Sequence, residues 1–129
     1  MRVENKSIIV TGSAGGIGEG IAKRLALPAR VAVRVNPGYE LKSSGMKMGG
    51  GPKQFGIDAE AVPGVLDRVG ALGLGFEGFH IYAGSQNLKA DSICDAQTKS
   101  YELALRLAQR APAPVRTLNL GGGFGIPYF

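Results

Sequence analysis

Apolar and polar positions alternate along this chain in two distinct rhythms, and each rhythm predicts an element. Ser7-Ile8-Ile9-Val10 is a short apolar run that stops at Thr11-Gly12, as a buried strand of a parallel sheet would. Ile17, Ile21 and Leu25 follow at i, i+4 and i+8, with Glu19, Lys23 and Arg24 off that line. This predicts an amphipathic helix ending before Pro28. Val31 to Val35 alternates with period two and runs into the turn signal Asn36-Pro37. Residues 37–57 show no periodicity and contain six glycines and two prolines, so they predict either a long functional loop or a segment that has lost its proper context. Asp58 is a candidate N-cap for a helix carrying Val62, Val65, Leu66, Val69 and Leu72 on one stripe, with Pro63 marking the true first turn. Gly73 and Gly75 end it. Phe76 to Ala83 predicts a third strand. Asp91 to Ala111 predicts the longest helix, with Ile93, Ala96, Ser100, Leu103, Ala104 and Leu107 on one face. Val115 to Leu120 predicts a fourth strand, which opens into Gly121-Gly122-Gly123-Phe124-Gly125.

This order, βαβαβαβ with four strands and three helices in one α/β domain over 1–129, implies parallel pairing through right-handed crossovers. The strand faces leave two architectures open. Val31, Val33 and Val35 share one face, whereas Arg34, His80, Tyr82, Thr117 and Asn119 lie on mixed or polar faces. If the first helix crosses to the polar side, the result is an open, three-layer, Rossmann-like or flavodoxin-like sheet, which is the expected arrangement. If it stays with the others, the result is half of a (β/α)8 barrel, whose bare face would invite a homodimer.

Composition narrows the chemistry. Fifteen Lys and Arg against ten Asp and Glu give a net charge of +5, but the positives are scattered, which argues against nucleic-acid binding. A single cysteine, Cys94, excludes a disulfide framework, and a single histidine, His80, excludes a His-rich metal site, so no metal is expected. No apolar run has the length of a membrane span and the N-terminus lacks the features of a signal peptide, so the expectation is a cytoplasmic protein with no membrane partner. Glycine is the unusual component, at 21 of 129 residues and in clusters, which suggests backbone in close approach to a ligand.

Two glycine clusters follow strands. Thr11-Gly12-Ser13-Ala14-Gly15-Gly16-Ile17-Gly18 would present helix N-terminal N–H groups to a diphosphate. The pattern Thr-Gly-x-x-x-Gly-Ile-Gly, with its flanks from Asn5 to Ala26, resembles the short-chain dehydrogenase/reductase family, and the resemblance implies that Gly12, Gly16 and Gly18 line an NAD(P) site. No Tyr-x-x-x-Lys catalytic pair follows; Tyr39-Glu-Leu-Lys42 is one spacer short. From about residue 29 the motifs Val33-Arg-Val-Asn-Pro37, Pro52-Lys-Gln-Phe-Gly-Ile57, Gly78-Phe-His-Ile-Tyr-Ala-Gly-Ser-Gln86 and Leu118-Asn-Leu-Gly-Gly-Gly-Phe-Gly-Ile-Pro-Tyr128 stand in order. This series resembles the fold-type III pyridoxal-phosphate decarboxylases, such as diaminopimelate decarboxylase. That resemblance implies a barrel fragment in which Gly121, Gly122, Gly123 and Ser85 surround a cofactor phosphate. Tyr82 takes the ring-facing position that is often histidine in the family, with His80 two residues earlier. Lys53 follows the family pattern near the cofactor, whereas Lys42 and Lys47 read as solvated loop lysines and Cys94 as a small structural thiol.

The family's Schiff-base lysine and the acid that partners its pyridine nitrogen have no counterpart in these residues. The expectation is therefore a chimera, engineered or recombined, joining a reductase-like βα unit (1–28) to a barrel fragment (29–129) near Leu25–Arg30, with no catalytic residues, no required cofactor and no complete native activity. Two alternatives accompany it. One is a module that binds NAD(P) or pyridoxal phosphate weakly. The other is an oxidoreductase or decarboxylase that needs parts absent from these motifs.

Overall fold

The computed structural model describes residues 30–39, 46–47 and 56–127. Within them the elements are β1 (Arg30–Asn36), β2 (Met46–Lys47), β3 (Ile57–Asp58), α1 (Val62–Ala71), β4 (Gly75–Ile81), β5 (Gly84–Ser85), α2 (Ala90–Ala108) and β6 (Thr117–Asn119). The main sheet has the order β3-β1-β4-β6 and is parallel throughout; β2 and β5 form a separate antiparallel pair. The strand and helix expected over residues 7–25 lie outside the described residues.

β1 and β4 carry the core. Val33 stands opposite Phe79 and Val35 opposite Ile81, so these four side chains share one sheet face. That face is covered by Val62, Leu66 and Val69 of α1 and by Leu103, Ala104 and Leu107 of α2. Each large side chain so buried stabilises the fold by about 1.5–3 kcal/mol. Phe76 joins the same cluster, its ring edge-on to Phe79 at 5.4 Å between centroids. A bulge makes this possible. Val31 pairs with Phe76 and Ala32 with Gly78, leaving Glu77 as an extra residue on β4. The Glu77 carbonyl accepts the Arg116 N–H at 2.9 Å, which ties the bulge to the start of β6.

The helices end where their chemistry stops them. Pro63 lies in the first turn of α1, but the cap is Ala61 rather than Asp58, because Asp58 belongs to β3 and accepts a hydrogen bond from Asn36 Nδ2 at 3.2 Å. Gly73, at φ +63°, closes α1: its N–H bonds to Gly70 O and the Leu74 N–H to Val69 O, a Schellman pattern. α2 stops at Ala108, three residues earlier than its periodicity suggests, where i→i+3 bonds to Leu107 and Ala108 carbonyls tighten the last turn. Tyr39, just past β1, anchors on α2, its hydroxyl 2.5 Å from Ser100 Oγ.

Both described helices pack on the same face of the sheet; the first predicted helix, on whose side the choice between the two architectures turned, lies outside the described residues, and the character of the other sheet face favours the half-barrel alternative. Arg34, His80 and Asn119 are register partners across β1, β4 and β6 and lie on the opposite face. A doubly wound sheet needs apolar side chains on both faces of its central strands; here one face is polar. The architecture is that of a barrel segment, with helices outside and polar residues on the inner side. Of the three helices expected, two lie among the described residues. The two-residue strands β2 and β3, in and just after the long loop, are too short to leave a periodic signal. No described helix is long and apolar enough to cross a membrane.

Gly78 fixes how closely β6 approaches β4. Its φ is +147°, and a Cβ there would overlap the Thr117 carbonyl oxygen. Gly78→Ala is expected to cost at least ~2 kcal/mol, combining backbone strain with displacement of β6. Gly64 in α1 has no atom within 4 Å of a built Cβ, so Gly64→Ala is expected to be neutral or stabilising by up to about 1 kcal/mol. Urea midpoints of the two variants check both values; equal midpoints would contradict the packing described.

Candidate functional site

Parallel strands place their C-terminal ends on one edge, where ligands bind in α/β proteins. On that edge lie the segment 82–87 after β4 and the segment 120–127 after β6, and the two are laced together. Asn87 N–H donates to Gly123 O at 3.1 Å and Gly125 N–H to Asn87 O at 2.8 Å, with Asn87 and Phe124 forming a parallel bridge. Gln86, a non-glycine residue at positive φ (+56°), accepts from Ile126 N–H through its Oε1 at 3.3 Å. Asn87 also caps the approach to α2, its Oδ1 accepting the Lys89 N–H at 3.1 Å.

Gly121, Gly122 and Gly123 have φ values of +74°, +80° and +91°, a run that side chains would strain. Two of them are also needed for space. A Cβ on Gly121 would meet the Tyr82 ring, and a Cβ on Gly123 would overlap the Gly84 carbonyl and lie 3.8 Å from Ser85 Cα. The structure therefore brings together four of the residues singled out in the sequence: Ser85 and the three consecutive glycines. Gly12, Gly16 and Gly18 lie outside the described residues, as do Lys42 and Lys53. The Gly121 N–H is taken by Asn119 Oδ1 at 2.8 Å. Among the described residues no acceptor is paired with the Gly122 and Gly123 N–H groups, two adjacent donors in a turn beside Ser85. A cavity of about 20 Å³, room for one water, separates the glycine loop from α2 and is lined by Ala83, Asn87, Ile93 and Leu120 among others.

Two features had no counterpart in the sequence reading. Met46 and Lys47 pair with Ser85 and Gly84, which sets these two residues beside the segment that follows β4. Asn119 caps the glycine loop; the spacing Asn-x-Gly, which suits an Asx turn, is the signal that could have found it.

On the inner face His80 is half-buried between Arg34 and Asn119. Burial, and then the Arg34 guanidinium, lower its pKa from the ordinary histidine value. The imidazole is therefore neutral near pH 7, available as a flat ring or hydrogen-bond partner rather than as a cation. Tyr82, two residues on, is the aromatic ring that sits against the glycine loop.

Comparison with known proteins places this geometry. Residues 16–129 match the family described as pyridoxal-dependent decarboxylase, pyridoxal binding domain. The chain is 41% identical over 112 residues to L-glutamyl-[BtrI acyl-carrier protein] decarboxylase of Niallia circulans, covering 86% of this chain and 26% of that protein. It is 31% identical over 102 residues to diaminopimelate decarboxylase of Thermoplasma acidophilum, covering 78% and 25%. A crystal structure of diaminopimelate decarboxylase from Helicobacter pylori, complexed with L-lysine, superposes with a TM-score of 0.68 at 25% identity, covering 86% of this chain and 28% of that one. The chain thus spans about a quarter of the length of these relatives. The family match starts inside the first glycine loop and runs across Leu25–Arg30, where the join between two families was expected. It supports the decarboxylase half of that expectation and gives no support to a reductase half, an engineered chimera or an NAD(P) site.

Because the folded pKa of His80 lies below its unfolded value, the folded state binds fewer protons than the unfolded chain through that interval. The stability it contributes is complete above the ordinary value of 6.5 and is lost as pH falls toward the lowered folded pKa. As the chain's single histidine, His80 gives an isolated titration curve by NMR. Arg34→Gln is expected to move that curve upward toward 6.5; an unchanged curve would show that Arg34 exerts no field on it.

Proposed function

This chain belongs to the pyridoxal-dependent decarboxylases, in their pyridoxal-binding domain, and we propose that its glycine loop holds the 5′-phosphate of pyridoxal phosphate. The observation that carries this reading is the pair of open N–H groups at Gly122 and Gly123. They are held beside Ser85 at the C-terminal edge of the sheet by a backbone contact no side chain could enter. The residues present fit the group: a phosphate needs convergent N–H donors and a hydroxyl, not a cation alone. Bound there, pyridoxal phosphate supplies an electron sink for loss of an amino acid's α-carboxylate.

The chain's own residues then divide the work. Gly122, Gly123 and Ser85 fix the phosphate. Tyr82, whose ring lies against Gly121, is the better placed of the two candidates to face the pyridine ring. His80, neutral and one step further in, lines the inner face below it. Decarboxylation as a whole is assigned to an assembly that also brings a lysine for the cofactor's aldehyde and an acid for its pyridine nitrogen. The named relatives act on diaminopimelate and on a carrier-bound glutamyl group; an amino-acid carboxylate is the substrate class common to both.

Pyridoxine 5′-phosphate and pyridoxine, which lack the aldehyde and so cannot condense with surface lysines, isolate the phosphate's contribution. Calorimetric titration is expected to show the phosphorylated form binding at least ~10-fold more tightly, a difference of about 1.4 kcal/mol. Gly122→Ala, which has room for its methyl but strains φ, is expected to erase most of that advantage and leave pyridoxine binding unchanged. Equal affinity of the two ligands for the unmodified chain, or binding of NAD+ in their place, would contradict the assignment.

A further inference from the structure

We infer that Asn119 is the positioning residue that sets the glycine loop and the Tyr82 ring in register with each other. This deepens the phosphate-site reading and rests on it for its functional meaning. Asn119 is the last residue of β6 and the register partner of His80, so it stands on the polar inner face, whereas Leu118 packs with the core on the other. Its Oδ1 accepts the Gly121 N–H at 2.8 Å. That bond consumes the first donor of the loop and orients the peptide planes that follow, leaving the Gly122 and Gly123 N–H groups open. It also seats Gly121, at φ +74°, where its missing Cβ makes room for the Tyr82 ring. One carboxamide oxygen therefore couples two features on different strands: the donors for an anion and the aromatic ring beside them. A neutral acceptor suits this position. An aspartate would make the same bond but would place a negative charge next to the anion that the loop is to receive.

The test uses Asn119→Ala, which removes the acceptor, and Asn119→Ser, which restores a neutral one at the same i→i+2 spacing. In the ligand-free chain, 1H–15N and aromatic 1H–13C spectra are expected to show Asn119→Ala moving the Gly122 and Gly123 amides and the Tyr82 ring, with Asn119→Ser returning them toward the unmodified positions. Changes confined to Gly121, or absent altogether, would overturn the inference. With ligand, Asn119→Ala is expected to lower affinity for pyridoxine 5′-phosphate about 10-fold and affinity for pyridoxine by a smaller factor, through the displaced Tyr82 ring, with the thermal midpoint unaltered. Loss of both affinities in equal measure, or of neither, would also overturn it. An unmodified chain that does not distinguish the two ligands overturns the cofactor reading instead, and the ligand-free spectra still decide the part played by Asn119.

Discussion

The backbone of Gly123 lies against the carbonyl of Gly84, in the space where a side chain would otherwise be. From this approach follow the bonds between Asn87 and the residues on either side of Phe124 and the seating of Ser85 beside the glycine loop. A methyl group at residue 123 would push the two segments apart and dissolve the site without touching the hydrophobic core. Glycine there is required twice over, by space and by a φ of +91°.

The sheet beneath is one-sided, and that asymmetry turns a packing pattern into a functional surface. Val33, Val35, Phe79 and Ile81 point into the helices. The alternate residues Arg34, His80 and Asn119 are left on the other face because strand side chains alternate. In an open doubly wound sheet that second face would bury apolar residues under another helix layer. Here it carries a guanidinium, an imidazole and a carboxamide in one transverse row, and the row ends at the residue that caps the glycine loop.

Much of this was legible in the sequence. The valine alternation of β1, the stripe of α2, the stripe of α1 as far as Val69 and the run Gly121–Gly123 each correspond to what the structure shows, as does the nearness of Ser85 to those glycines; Leu72, expected on the α1 stripe, is exposed past the helix end. The errors have physical causes. Asp58 has the chemistry of an N-cap, but tertiary pairing with Asn36 draws it into a strand. The three-layer sheet was preferred because it covers both faces within one chain, and the polar row that argues against it requires strand register, which no single-strand pattern contains. Met46–Lys47 pairs with residues nearly forty positions away, beyond the reach of local periodicity. The split into two families rested on the Thr-Gly-x-x-x-Gly-Ile-Gly motif with its flanks from Asn5 to Ala26, and the family match runs through the second part of that stretch.

A crystal structure of the chain with pyridoxine 5′-phosphate tests the central claim most directly. The account predicts phosphate oxygens within hydrogen-bond distance of the Gly122 and Gly123 N–H groups, with the pyridine ring on the Tyr82 side of the loop. A phosphate bound elsewhere while that loop keeps its conformation would contradict it.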